Sequence, residues 1–510
     1  MNWLRFTLVV FAAAGSWLNG RAVAIPPPGL PFLPNNNNNN SQFRSQPFWE
    51  QHLVRVNSTV QPYQFRHPWA KIAPFTKSGV GVALADGNVI VTADLLANHT
   101  YAEIESPQSG ARSAAKVVRI DYDYNLALLH PESPLENLIP AELDLTAKPG
   151  NSFFILQLQS NGQLSATEAN LTSTAVTLYP SETSHLLTFR VTAALQDRGD
   201  ADTTLPVVRN RRLVGLIMRV DPRSQTYDVI PAQVIQQFLN SPAARIGVPR
   251  LGLSVASTRD PQLRRWLRLP ESGGIYVCNV DENGPAAKAG IQRGDILFAI
   301  DNQPIDEQGD INDANFGKIN FTYLISTKHH IGDEIRLKIF RNDNFCEKSA
   351  TLDSVAVEQN LSPAYIRDRQ PVYFILGGLV FMELSRPYLQ EWGADWKIRA
   401  PQRLVYIDQY QAELSKFHGK IVFLSEVLPS KNTMGFDDLN HLIVTRVNGY
   451  PIHSLADVAR ASHQPIDGLQ KIEFLEDPHL LYLDAASAAK TDIKLIKDYS
   501  IPATTNLPTP

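Results

Sequence analysis

From residue 79 onward the chain repeats one pattern, short apolar runs set between turn signals. Gly79-Val80-Gly81-Val82-Ala83-Leu84 is followed by Asp86-Gly87 and then by Val89-Ile90-Val91. Val117-Val118-Arg119-Ile120, Leu126-Ala127-Leu128-Leu129 and Leu213-Val214-Gly215-Leu216-Ile217 continue the series. Many short strands without long helices predict an all-β barrel or sandwich reaching to about residue 245. The exception is Ile230-Pro231-Ala232-Gln233-Val234-Ile235-Gln236-Gln237-Phe238-Leu239, whose apolar spacing predicts a helix closing the segment.

The pattern then changes. In "NGPAAKAGIQRGDILFAIDNQPI", Pro285 suits the first turn of a short Ala-rich helix and Gly290 its left-handed cap. Gly294-Asp295 turns into a strand from Ile296 to Ile300. Further on, "HLIVTRVNGYPIHSLADVARA" predicts a strand, an Asn448-Gly449 turn and a helix beginning near Ser454. The apolar run Val372 to Leu384 has only thirteen residues and a central Gly377-Gly378. It is too short to span a bilayer, so two buried strands around a turn are expected.

The N-terminal pattern is an address followed by a tether. Arg5 precedes the apolar run Phe6 to Ala14, and Ala22-Val23-Ala24 supplies small residues for cleavage after Ala24. The next stretch, "IPPPGLPFLPNNNNNNSQFRSQ", has prolines that extend it and an Asn run with no apolar area to bury. The expected division is signal peptide 1–24, tether 25–47, a barrel domain 48–245, and two further domains at 246–357 and 358–510. Export to a periplasmic or extracellular space follows, with no membrane span once the signal is removed.

Composition adds exclusions. At 510 residues the chain exceeds one core, and a net charge of -4 gives no basic field for nucleic acid or anionic lipid. In an oxidising compartment Cys278 and Cys346 form either a bridge or two separate buried thiols. Sequons begin at Asn57, Asn98, Asn170, Asn320 and Asn360, and matter only in a eukaryotic secretory route. Asp197, Asp200 and Asp202 lack the glycine and glutamate of a calcium loop, and His329-His330 is expected on the surface. No phosphate-cradling loop or zinc spacing occurs, so neither a metal nor a cofactor is expected.

The string Pro-Ala-x-x-Ala-Gly-Ile-x-x-Gly-Asp-Ile at residues 285–296 resembles a bacterial PDZ domain. The last block follows the same order without the Ala-Gly-Ile-x-x-Gly-Asp portion, as a divergent second PDZ domain. A secreted all-β domain followed by two PDZ domains resembles the HtrA/Deg family of trypsin-like serine proteases. "PAYIRDRQPVYFILGGLVF", "INFTYLISTKHHIGDE" and "LIKDYSIP" resemble its plant-type branch most. The resemblance implies a mainly β fold, a trypsin-like double β-barrel followed by two α+β PDZ domains. It also implies a trimer-based homo-oligomer, with Phe48, Trp49, Phe65 and Trp69 as candidate contacts.

The family's chemistry needs a serine nucleophile, a histidine that takes its proton, and an aspartate that orients the histidine. Counting from Thr92, the histidine place holds Leu95, or Asp94 with one deletion. His99 stands four residues too far on, roughly 13 Å along extended chain. In Asp121-Tyr122-Asp123-Tyr124-Asn125-Leu126-Ala127-Leu128-Leu129 the aspartate place is Asn125, and Asp123 lies too near the turn to substitute. An amide there costs the family's mechanism about four orders of magnitude in rate. Pro149-Gly150-Asn151-Ser152 imitates the serine motif but comes only 27 residues after Asn125. The serine place itself is Thr203 counted from Pro206, or Asp200 counted from Leu195. Acidic residues around it oppose an oxyanion.

What survives is peptide binding. A PDZ domain adds a peptide's C-terminal strand to a sheet edge and takes its carboxylate on backbone N–H groups. The expected loop and strand are Ser272-Gly273-Gly274-Ile275-Tyr276-Val277, opposed by a helix from Phe321 to Lys328. The favoured reading is an exported pseudoprotease that binds unfolded proteins or peptide C-termini as a chaperone or scaffold. The alternative is an active endopeptidase of the same family using unconventional groups.

Overall fold

The computed structural model describes residues 46–159, 161–195, 204–242, 247–269, 272–354, 359–411, 413–414 and 419–507. The expected signal peptide, nearly all of the tether, and Asp197, Asp200, Asp202 and Thr203 lie outside them.

Six strands close the first barrel: β1 Leu53–Val60, β2 Phe75–Ala83, β3 Val89–Thr92, β4 His99–Glu105, β5 Arg112–Asp121 and β6 Leu126–Pro131. Their order is β1-β2-β3-β6-β5-β4, every neighbour antiparallel. Alternation in β1 turns Val54, Val56, Ser58 and Val60 inward, the period of a pleated strand. The barrel narrows at Gly81, where a Cβ would stand 2.5 Å from Val89 Cγ1.

The second barrel holds β7 Ser152–Leu158, β8 Leu164–Leu178, β9 His185–Ala193, β10 Pro206–Arg209, β11 Arg212–Asp221 and β12 Thr226–Pro231. It runs β10-β7-β8-β9-β12-β11 and closes through β10–β11 pairing. The predicted helix follows as α1, Ala232–Asn240, which buries Val234, Ile235 and Phe238.

Two larger open sheets follow, together with a two-stranded hairpin of Asp310–Asp313 and Gly317–Asn320. One has β13 Leu253–Ala256, β14 Ile275–Val280, β15 Ile296–Ile300, β16 Glu334–Arg341 and β17 Asn344–Thr351, in that order. The other has β18 Tyr373–Leu376, β19 Leu379–Glu383, β20 Val422–Val427, β21 Leu442–Val447, β22 Leu469–Phe474 and β23 Leu480–Asp484. The apolar run Val372 to Leu384 is thus the hairpin β18–β19, with Gly377 at φ 62° and Gly378 at φ 97°. Helix α2, Leu455–Ser462, starts at Ser454, whose side chain accepts from the Asp457 N–H.

One apolar core runs from Trp49 along one side of the first barrel and through the second to Leu352, just past β17, while Val54, Val56, Val89, Val91 and Leu95 form a separate core inside the first barrel. At the join Phe189 of β9 meets Phe316 with ring centres 5.9 Å apart. The fourth sheet has its own core, on which Phe65 and Trp69 of the β1–β2 connection pack. Phe48, Trp49, Phe65 and Trp69, the candidate contacts to a second subunit, all have partners within this chain. Trp49 is only 4% exposed, Phe48 carries the Arg211 guanidinium 4.9 Å from its ring centre, and Trp69 meets Tyr373 at 5.7 Å. Trp49 is fully packed, whereas Phe48, Phe65 and Trp69 are partly buried and keep part of their aromatic area exposed. Cys278 and Cys346 are free thiols. Among the described residues no helix is long and apolar enough to cross a membrane.

Candidate functional site

The end of β3, the β5–β6 corner and the entry to β10 converge. Leu95 closes the turn Ala93–Leu95 and is 2% exposed. A Cβ placed on Gly79 would lie 3.0 Å from Leu95 Cδ2 and 3.0 Å from Thr204 Cβ, so the three residues share one apolar space. Thr204 is fully buried, its carbonyl accepts from the Val80 N–H at 3.0 Å, and its hydroxyl pairs with that of Thr92. Asp94 faces elsewhere, its carboxylate 2.9 Å from Arg367 and its carbonyl accepting from Lys77 Nζ at 3.0 Å.

Asn125 sits at φ 52°, a left-handed conformation that asparagine tolerates, and is 1% exposed. Its Oδ1 accepts from the Asp94 N–H at 3.0 Å, and its carbonyl from the Ala93 N–H at 3.1 Å. The side-chain amide therefore staples the Leu95 turn instead of orienting an imidazole, and its Nδ2 has no partner among the described residues. His99 opens β4 with Nδ1 2.8 Å from the Leu96 carbonyl, away from both. At the imitation motif, Ser152 donates to Asn170 Oδ1 at 3.1 Å. Among the described residues no histidine hydrogen-bonds to a serine or threonine hydroxyl. His329, expected on the surface, is half-buried and lies 3.2 Å from Asp301.

The third sheet corrects the expected groove. Strand β14 is paired on both sides, Ile275 and Tyr276 with β15, and Tyr276 and Val277 with β13. It has no open edge for a peptide. The Gly273 N–H donates to Glu307 Oε1 at 2.6 Å and the Gly274 N–H to the Ile305 carbonyl at 2.8 Å, so neither is free for a carboxylate. Sheet order makes β13 the edge strand. Beside it lies a cavity of about 260 Å³ walled by Leu251, Gly252 and Leu253, by Phe321 and Ile325, and by His185 of the second barrel. The helical part of the expected 321–328 segment, Leu324–Lys328, forms the facing wall. Gly252, at φ 74°, lets the chain turn into β13.

In the fourth sheet the matching place is taken. β18 pairs along β19 and shares an apolar core with α2, so the chain's own strand covers that edge. Asp492 holds the connecting turn by accepting from the N–H groups of Gly377 at 2.9 Å and Gly378 at 3.2 Å.

Models of the PDZ domain match residues 249–352 and 362–506. The chain is 26% identical over 462 residues to the chloroplastic protease Do-like 2 of Arabidopsis thaliana, covering 88% of this chain and 74% of that one. It is 25% identical over 242 residues to the periplasmic serine endoprotease DegP of Salmonella typhimurium, covering 45% and 48%. The chain is a relative of the Deg proteases. The HtrA-type protease AlgW, solved with a decapeptide, matches at 18% identity and a TM-score of 0.45 over 60% of this chain and 96% of that one.

In this Deg relative the β5–β6 corner is a junction between its barrels and PDZ domains. Asp121 Oδ2 accepts from the Gly247 N–H at 2.7 Å, at the entry to the first PDZ domain. Asp123 accepts from Thr183 of the second barrel, from Arg250 of the first PDZ domain at 3.4 Å and from Tyr365 at 3.4 Å. Tyr122 donates to Asp368, which also accepts from the Asn98 N–H at 2.6 Å. Tyr124 packs on Phe238 of α1 at 6.0 Å. Burial, with the Asp123 charge second, pushes the Asp121 carboxyl up to about 6.

Proposed function

We propose that this chain is an exported pseudoprotease of the HtrA/Deg type that binds peptide segments of unfolded proteins as a chaperone or scaffold, in a trimer-based assembly. The observation that carries the reading is the pairing of Leu95 and Asn125. Proton transfer from a nucleophile needs a base within hydrogen-bond reach and a group that fixes its tautomer. Leu95 fills the first place with buried hydrocarbon, and Asn125 spends its oxygen on the Asp94 N–H. Thr203 is read as the residue in the serine place.

Binding is assigned to the β13 edge. Its open backbone suits strand addition, and Leu253, Phe321 and Ile325 offer an apolar end pocket for a C-terminal side chain. Export rests on the run Phe6 to Ala14 followed by Ala22-Val23-Ala24.

The test is incubation of the mature chain with unfolded casein and, separately, with an aggregating client. Absence of turnover with suppressed aggregation supports the reading, and Leu253→Glu is expected to weaken capture of an apolar C-terminal peptide. Turnover that Thr203→Ala abolishes overturns it.

A further inference from the structure

A second recess of about 470 Å³ lies where the β1–β2 connection meets the second PDZ domain, and the peptide groove plays no part in it. Three rings line it. Tyr388 and Trp392 have centres 5.5 Å apart, Trp392 and His441 5.4 Å, and Tyr388 and His441 6.2 Å. Burial first, then the charges of Arg403 and Arg66, pushes His441 down to about 4, so it is a neutral ring near pH 7. Such walls attract cations through their negative faces.

The chain already places one cation there. The Arg66 guanidinium stacks 4.3 Å from the centre of the Trp392 ring. It forms no ion pair among the described residues, although two carboxylates, those of Glu426 and Asp437, line the same recess. Of the two, Glu426 is the one with an orphaned oxygen. Its Oε2 lies 3.5 Å from His67 Nε2, while its Oε1 is buried without a hydrogen-bond partner among the described residues. Burial alone pushes this carboxyl up to about 7.

The recess thus holds an aromatic face served by a cation, a carboxyl group with one unpartnered oxygen, and space between them. We propose that it is a recognition site for the arginine side chain of a bound polypeptide, with Arg66 as the resident competitor on Trp392. A guanidinium can stack as Arg66 does and present its N–H fork to Glu426, which a point charge on a flexible stem does less well.

The test uses the full mature chain titrated by calorimetry with N-acetyl-arginine amide and its uncharged isostere N-acetyl-citrulline amide. Arg66→Ala is expected to bind the arginine probe about fivefold tighter than the wild type, the scale of one exposed cation–ring contact. Adding Glu426→Gln or Trp392→Leu to Arg66→Ala is expected to remove that gain, and citrulline is expected to bind at least fivefold more weakly. Glu426→Gln preserves side-chain volume, so its effect separates charge recognition from misfolding. Unchanged affinity in Arg66→Ala, equal binding of citrulline, or indifference to Glu426→Gln would overturn the proposal.

Discussion

Asp121→Asn probes the junction at the β5–β6 corner. Asp121 is 1% exposed, and burial, then the Asp123 charge, holds its carboxyl at about 6 against an ordinary 3.8. The folded state therefore binds this proton more tightly than the unfolded state. The contribution to stability is complete below about pH 4 and is lost as pH rises through about 6. At 1.36 kcal/mol per pH unit the span is worth about 3 kcal/mol at neutral pH. Asparagine removes that ionisation but replaces one acceptor oxygen by an amide, facing the N–H of Gly247 or those of Asp123 and Tyr124. A buried donor left unpaired costs about 1–3 kcal/mol. Near pH 7.5 the two effects roughly offset, and near pH 4.5 the ionisation penalty has fallen to about 1 kcal/mol, so the loss outweighs it. Urea unfolding of both proteins between about pH 4.5 and about pH 7.5 reads the difference. The wild-type advantage should grow by about 2 kcal/mol over that range as pH falls. A constant advantage would refute the view that Asp121 titrates in this window while folded.

Glu426→Gln is expected to raise the urea midpoint near pH 7.5 and to leave it unchanged near pH 4, because burial holds that carboxyl at about 7. An unchanged midpoint at the higher pH counts against it. Leu95→Ala should cost about 2–4 kcal/mol in the same assay, as a fully packed leucine does, whereas a loss below about 1 kcal/mol would mean that the space collapses freely. Gly378→Ala puts a Cβ 3.1 Å from the Leu428 carbonyl at φ 97°, so it should lose about 1–3 kcal/mol and loosen the β18–β19 turn. Amide exchange at Gly377 and Gly378 no faster than in the wild type would contradict that.

Much of the fold is written in local pattern. Period-two runs mark the barrel strands, Asp86-Gly87 marks a turn at φ 60° and 72°, and Ser454 marks the start of α2. The interior place of the expected groove strand is not legible because sheet order is not local. Gly273-Gly274 looks like a carboxylate loop, yet its N–H groups are spent on Glu307 and Ile305, residues more than thirty positions away. The better signal was Leu251-Gly252-Leu253, one glycine opening a four-residue strand. Asn125 and Leu95 were legible from spacing within a motif. The staple from Asn125 to the Asp94 backbone was not, since it depends on an asparagine at φ 52°. The binding of Phe65 and Trp69 to the second PDZ domain escaped for the same reason as the groove: contact across some 300 residues leaves no periodicity.

The core that runs unbroken from Trp49 to Leu352 has a mechanical consequence. A module tied on by a flexible linker can swing and report nothing of what it holds. Here a swing of the first PDZ domain would part Phe189 from Phe316 and strip Arg250 from Ser184 and Asp123, exposing apolar area and buried charge together. The domain is a wall of the second barrel, not a pendulum beside it. A strand added at β13 would abut the Thr183-Ser184-His185 hairpin, whose Thr183 hydroxyl donates to Asp123 at the corner behind it.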